Sequence, residues 1–340
     1  MTSRIAQTFC STRAVRVVQR STRTLVLIGV GALALAGCSG GSGGDDGTLT
    51  VVTTTSVYAD VVQNVVRDVD GQAPEVQAVI DSPTQDPHSY EATPQDRMTV
   101  QGADVVVLNG GGYDAFMEDL AAEADVPVIN AVEISGLEGA EDAQHHDHGS
   151  EEEGHEGHSH GMFNEHMWYD PLVIGKVSDA VAEKLGELDE LNAQAYRDNA
   201  EEFTEQMNQL QQRVTQLELK GDYLATEPVA NYLLDGAGLH NVTPPAFTIA
   251  VEDGTDAAPL VYDEVRTLLE DDVAVLVYNE QTSTGQSKDL KKIAEESQVP
   301  VLAFSETLPE GTSYVEWMEQ NIGDLEAVNG LTSTRGDTSQ

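Results

Sequence analysis

The sequence predicts an α/β chain of two lobes, each a parallel-type sheet with flanking helices, joined by one long rigid helix. Three observations carry this reading. Short apolar, β-branched runs alternate with segments of helical period over residues 49–131. The same alternation returns over residues 218–330. Between them, residues 190–217 keep apolar positions three and four apart with no glycine or proline.

Taken in order, LTVVTT at 49–54 is a strand, and Ser56 can cap a helix bearing Val57, Val61, Val62, Val65 and Val66. PEVQAVI at 74–80 is a second strand. Pro94 to Gly102 is a short helix, with Thr93 as its cap and proline in its first position. DVVVLNG at 104–110 is a buried strand, FMEDLAAEA a helix, and VPVIN at 126–130 a further strand. Residues 172–187 make a helix, with Val173, Val177, Val181 and Leu185 four apart. Asp189 can cap the next, whose apolar positions include Tyr196, Phe203, Met207, Leu210 and Val214. Running from 190 to 217 it would be about 42 Å long, a strut between lobes. In the second half GDYLATE ends a strand, and PVANYLLDGAG is a helix beginning at Pro228. DVAVLVYNE is a buried strand, 287–297 a helix, VPVLAF a strand, and Ser313 to about Val328 a terminal helix.

The lobes are thus expected at 48–188 and 218–330, with 189–217 linking them and 331–340 a disordered tail. Residues 1–24 hold five arginines and no acid, and an apolar run of about a dozen residues ends in Leu35-Ala36-Gly37-Cys38. That run is too short for a membrane span and reads as an export signal over 1–37. Its end resembles a lipobox, which implies acylation of Cys38, with 38–47 a flexible polar tether. Cleavage before Cys38 removes Cys10, so no thiol, disulfide or cysteine ligand remains.

Removing 1–37 takes the formal charge from -42 to -47, since only arginines are lost. Such a field argues against nucleic acid or an anionic headgroup as partner. It concentrates cations weakly, although solubility or a salty medium explains the bulk of it equally well. Residues 136–161 carry six histidines, His145, His146, His148, His155, His158 and His160, among acids and glycines. The segment has too little apolar surface to pack and is expected to be a mobile loop. Imidazoles in that density suit borderline cations such as zinc, copper and nickel in weak, exchanging sites.

In open α/β sheets ligands sit beyond the carboxyl ends of strands. Four residues answer that criterion: His88 after the second strand, His166 in NEHMWYDP, Glu227 after YLAT and Glu306 after VLAF. Two imidazoles and two carboxylates make a metal set. Each also has a plainer reading. A loop histidine is commonly a surface group, Glu227 could favour a helix starting at Pro228, and Glu306 could be a solvated acid. Asp170 and Glu280 compete for the fourth position. HExxH and glycine-rich phosphate loops are absent from the sequence, and GxSxG occurs only within 37–44 at the tether and at 157–161 in the histidine-rich segment, neither of which follows a strand pattern. Gly110-Gly111-Gly112 is expected to make a tight turn at the cleft floor.

At these segments the chain resembles the zinc- and manganese-binding solute-binding proteins of bacterial ABC importers, the cluster A-I type, over about residues 48–329. DPHSYEATPQD is similar to the family's first histidine segment, and NEHMWYDP to its NPHxWLDP segment, with Asn164-Glu165 in place of asparagine-proline. TEPVANYL fits the third segment through Glu227 and Tyr232. FSETLP fits the fourth through Glu306, where aspartate is commoner. The resemblance implies His88, His166, Glu227 and Glu306 as ligands in a cleft between the lobes, no enzymatic activity, and delivery to a membrane permease by a lipid-anchored monomer. Glutamate at the third position is typical of manganese and iron members, whereas the histidine-rich loop points to zinc. The expectation is zinc as cargo, with manganese as the alternative. A metal-dependent hydrolase and a metal-scavenging adhesin are the other functions carried forward.

Overall fold

The structure, a computed structural model, describes residues 47–335 apart from 83, 86, 144–162, 253 and 272. The first half contains β1 (Thr50–Thr55), α1 (Ser56–Val66), β2 (Glu75–Ile80), α2 (Pro94–Gln101) and β3 (Val105–Leu108). It continues with α3 (Ala115–Ala124), β4 (Val128–Asn130), α4 (Ala131–Ser135) and α5 (Ala140–Ala143). Two long helices follow, α6 (Pro171–Leu188) and α7 (Ala193–Gln216). The second half contains β5 (Asp222–Ala225), α8 (Asn231–Gly236), β6 (His240–Asn241), α9 (Pro245–Glu252) and α10 (Pro259–Asp271). It closes with β7 (Val273–Asn279), α11 (Gly285–Glu296), β8 (Val301–Phe304) and α12 (Tyr314–Arg335).

Both sheets are four-stranded and parallel, and they repeat one topology: β2-β1-β3-β4 and β6-β5-β7-β8. The central strands are covered on both faces, which is why they read as continuous apolar runs. Successive residues serve different cores. Val51 packs in the large cluster shared by both lobes and Val52 in the one under α3; Tyr223 and Leu224 divide likewise in β5. In each sheet the chain leaves the first strand in one direction and later returns on its other side. That switch leaves a crevice at the carboxyl ends of β1 and β3, and of β5 and β7.

α7 carries Tyr196, Ala200, Phe203, Met207, Leu210 and Val214 in steps of four and three, and buries that stripe. It packs on α1 and α6 in the first half and on α8 and α12 in the second, so it spans both lobes. It has 24 residues, about 36 Å, and starts later than expected. The reason is local: Asp189 ends α6 instead of capping α7. Its carboxylate accepts from the N–H groups of Leu191 and Asn192 and from Asn192 Nδ2 at 2.7 Å, which fixes a turn before α7 begins.

Other boundaries also differ. Ser56 is the first helical residue, not the cap, because β1 runs straight into α1 at Thr55. Thr93 does cap α2, in a reciprocal capping box with Asp96. α8 starts at Asn231, not Pro228, so Glu227 is not at a helix start. β6, α9 and α10 are not among the elements expected from the sequence. α12 continues through Arg335, so residues 331–335 are helical, not part of a tail. Among the described residues no helix is long and apolar enough to cross a membrane.

Candidate metal centre

Each strand-end residue singled out above lies at the crevice between the lobes. His88 sits in a single 3-10 turn, Pro87–Ser89, after β2. His166 precedes a second such turn, Met167–Tyr169, which leads into α6. Their rings are 5.5 Å apart, and both pack against Tyr113, with His88 edge-on at 4.8 Å.

His166 is almost wholly buried, at 1% exposure. Its Nδ1 lies 2.7 Å from Asn164 Oδ1, while Asn164 Nδ2 donates to the Pro228 carbonyl at 3.0 Å. The amide is therefore oriented so that Nδ1–H is the donor, and Nε2 carries the lone pair in the neutral ring. That Nε2 is buried and faces Glu306 Oε2 at 3.3 Å. Two donors each about 2.1 Å from one ion at a tetrahedral angle stand about 3.4 Å apart. The 3.3 Å separation suits a ligand pair as well as it suits a histidine–carboxylate ion pair.

The carboxylates are held by the second lobe. Asn279, the last residue of β7, donates through Nδ2 to Glu306 Oε1 at 2.9 Å and also to Glu227 Oε2. Thr282 Oγ1 donates to Glu227 Oε1. Tyr113 reaches from the first lobe, with its hydroxyl 3.4 Å from Glu306 Oε2. Gln281 accepts the Glu306 backbone N–H. Both acids are buried, and their charges together would balance one divalent cation.

The electrostatics record the crowding. Burial disfavours the His166 imidazolium, but the Glu306 carboxylate overrides it, with Glu165 and Glu252 adding, and pushes the ring up to about 9. Burial alone would raise Glu306, yet the facing His166 holds it below the usual carboxylate range. Burial raises Glu227 to about 7, the neighbouring Glu306 adding and the Thr282 hydrogen bond opposing. Glu252, at the end of α9, is pushed to about 7 by burial and by Glu165.

The two competing acids have other work. Asp170 caps α6 through the Leu172 N–H at 2.9 Å, and Glu280 is largely exposed and faces Lys291 at 3.5 Å. The residues that sequence reasoning missed are Asn279, Thr282, Tyr113, Asn164 and Glu252. Asn279 had a signal: it is a polar residue at the carboxyl end of an apolar strand, one position before the acid that was noticed. Thr282, Tyr113 and Glu252 lie in a turn, a loop and an unrecognised helix, and nothing local marks them. The histidines at 145, 146, 148, 155, 158 and 160 and Cys38 lie outside the described residues.

The crevice floor is set by Asp114, which is fully buried. It accepts from Thr54 Oγ1 at 2.6 Å and from the N–H groups of Asn109 and Gly110 at 2.8 Å each. These bonds fold the turn Gly110-Gly111-Gly112, whose three φ angles are all positive, and so place Tyr113. Asn109 Nδ2 then donates to the Glu165 carbonyl at 3.1 Å, tying the floor to the residue before His166. Asp114→Ala leaves three buried donors unsatisfied. It is expected to lower unfolding free energy by about 3 kcal/mol or more, read by urea denaturation. A loss below about 1 kcal/mol would show that the turn does not depend on this carboxylate.

The profile of ZnuA, zinc-uptake complex component A, periplasmic, matches residues 51–328. The chain belongs to this family. It is a metal solute-binding protein of the cluster A-I type, a class of extracytoplasmic binding proteins, not enzymes, that work with membrane ABC permeases. It is 24% identical over 318 residues to the metal ABC transporter substrate-binding lipoprotein FimA of Streptococcus parasanguinis, covering 86% of this chain and 93% of that one. It is 25% identical over 317 residues to the manganese ABC transporter substrate-binding lipoprotein PsaA of Streptococcus pneumoniae, covering 85% and 92%. Its fold is like that of the solute-binding protein FpvC of Pseudomonas aeruginosa, solved with Mn2+, at a TM-score of 0.65 and 22% identity, covering 84% of this chain and 99% of that one.

Proposed function

We propose that this solute-binding protein captures manganese(II) between its lobes, on His88, His166, Glu227 and Glu306, and delivers it to its permease. The observation that carries the site is the buried Nε2 of His166 facing the buried Glu306 Oε2 at 3.3 Å. In the ion-free chain a proton joins this pair, and an ion that displaces it would gain both donors at once. The donor set supports manganese: two carboxylates can each bind through both oxygens and raise the coordination number above four, which suits a harder cation. The manganese named for PsaA and FpvC supports the same reading. Cys38 is the expected acylation site that would hold the chain at the membrane.

Zinc, the expectation from sequence, is the second reading. It is favoured by the histidine-rich segment and by the zinc-uptake description of the family. Zinc also binds nitrogen and oxygen donors more tightly than manganese in general, so affinity alone does not name the cargo. The test uses the chain lacking residues 141–160, to remove loop binding. Loaded separately with either ion and passed through a desalting column, it should retain one equivalent of manganese, measured by elemental analysis. If manganese passes through while one equivalent of zinc stays, zinc is the cargo.

A further inference from the structure

Glu165 has no counterpart in the proposed ligand set, yet its carboxylate is beside it. Its backbone carbonyl is held twice, accepting from Asn109 Nδ2 at 3.1 Å and from the Met167 N–H at 2.7 Å. The side chain therefore projects from a held root, one residue before His166. Among the described residues, donor atoms of His88, Glu165 and His166 all lie within 4.8 Å of one another. Glu165 Oε1 and His88 Nδ1 are 3.8 Å apart. That is too long for a hydrogen bond, but close to the roughly 3.4 Å between two donors on one ion.

We infer that Glu165 is an outer carboxylate that holds the ion with His88 during entry and exit, before and after it rests between His166 and the inner acids. The inference rests on the cleft reading above. Exposure falls along this path: the side chain of His88 is 27% exposed, Glu165 16%, His166 1% and Glu306 0%. An ion arriving from solvent meets His88 and Glu165 first. From there it can exchange donors one at a time, without shedding its water all at once. Charge argues against permanent ligation by Glu165. Glu227 and Glu306 already neutralise a divalent ion, so a third carboxylate would leave an uncompensated negative charge in a largely buried place. In the loaded state the Glu165 carboxylate, 16% exposed, would keep contact with water instead.

The test compares Glu165→Gln with the parent, both lacking residues 141–160, in stopped-flow mixing with manganese and then with an excess of chelator. Trp168, whose ring centroid lies 5.1 Å from that of His166, is a built-in fluorescence reporter. If Glu165 is a way-station, association and chelator-driven release both slow by about fivefold or more while Kd stays within about twofold, because a lost intermediate raises the barrier in both directions. Unchanged rates overturn the inference. So does a Kd weakened about tenfold or more, which would make Glu165 a resident ligand. Glu165→Asp, which keeps the charge on a shorter stem, should recover part of the rate. Glu227→Gln serves as the control on the underlying reading: it should weaken Kd, and if it does not, the cleft site itself is wrong whatever Glu165 does.

Discussion

His166→Ala is expected to weaken manganese or zinc binding in the cleft by about 1000-fold, about 4 kcal/mol. The ring is the best-prepared donor in the site. Its tautomer is set by Asn164, its position by Tyr113 and Trp168, and its Nε2 is already desolvated and aimed at Glu306. Apart from the loss of its proton, little has to be reorganised when an ion arrives, so most of its contribution appears as affinity. Removing it also strips Glu306 of the group that holds its charge. Titration of the chain lacking residues 141–160 checks this, with Glu306→Ala, Glu280→Ala and Asp170→Ala beside it. Glu306→Ala should resemble His166→Ala, and the other two should bind like the parent. A His166→Ala variant that binds within tenfold of the parent would remove the cleft as the primary site. A loss with Glu280→Ala instead of Glu306→Ala would reassign the fourth ligand.

The second large effect is on pH. An ion can occupy Nε2 only after the proton leaves, and His166 is held up to about 9 in the ion-free chain. Below that pH each unit costs one proton from this ring. Below about 7 Glu227 must also release one. Apparent affinity should therefore fall by about 1000-fold between pH 8 and 6. The stability of the ion-free chain should move the other way. His166 is raised above its ordinary 6.5, so its contribution is full below about 6.5 and is lost as pH rises through about 9. Glu227, raised from 4.5 to about 7, favours the folded state most when protonated and adds to the loss between those values. Glu306 is lowered, so its contribution is lost only on acidification from 4.5 downward. Thermal melts of the ion-free chain should fall from pH 6 to 9, while the increment added by the ion grows. An increment independent of pH would show that no proton is displaced.

Much of the fold was legible because its signals are local. Valine-rich runs such as Val105–Leu108 are buried on both faces and read as strands whatever surrounds them. The stripe along α7 declares itself by period. Of the segments that sequence reasoning missed, β6 is two residues long and α9 follows a pair of prolines, whereas α10 does carry a helical period in Val261, Val265, Leu268 and Leu269. Helix starts failed where a side chain had two possible uses, as at Asp189, which serves the end of α6 instead of the start of α7.

The sequence by itself determined that this is an α/β chain of two lobes with chemistry at strand ends, because periodicity and strand-end position are properties of neighbouring residues. It also marked His88, His166, Glu227 and Glu306 as candidates. What only the tertiary structure decided is how they meet. The 3.3 Å approach of His166 to Glu306 joins residues 140 positions apart, and Asn279 aligns two acids 79 positions apart from a third element. Glu280 and Asn279 are adjacent in sequence, yet one faces Lys291 at the surface and the other faces the site. Alternation along a strand sends neighbours to opposite sides, and only the packing of the lobes says which side holds the ion.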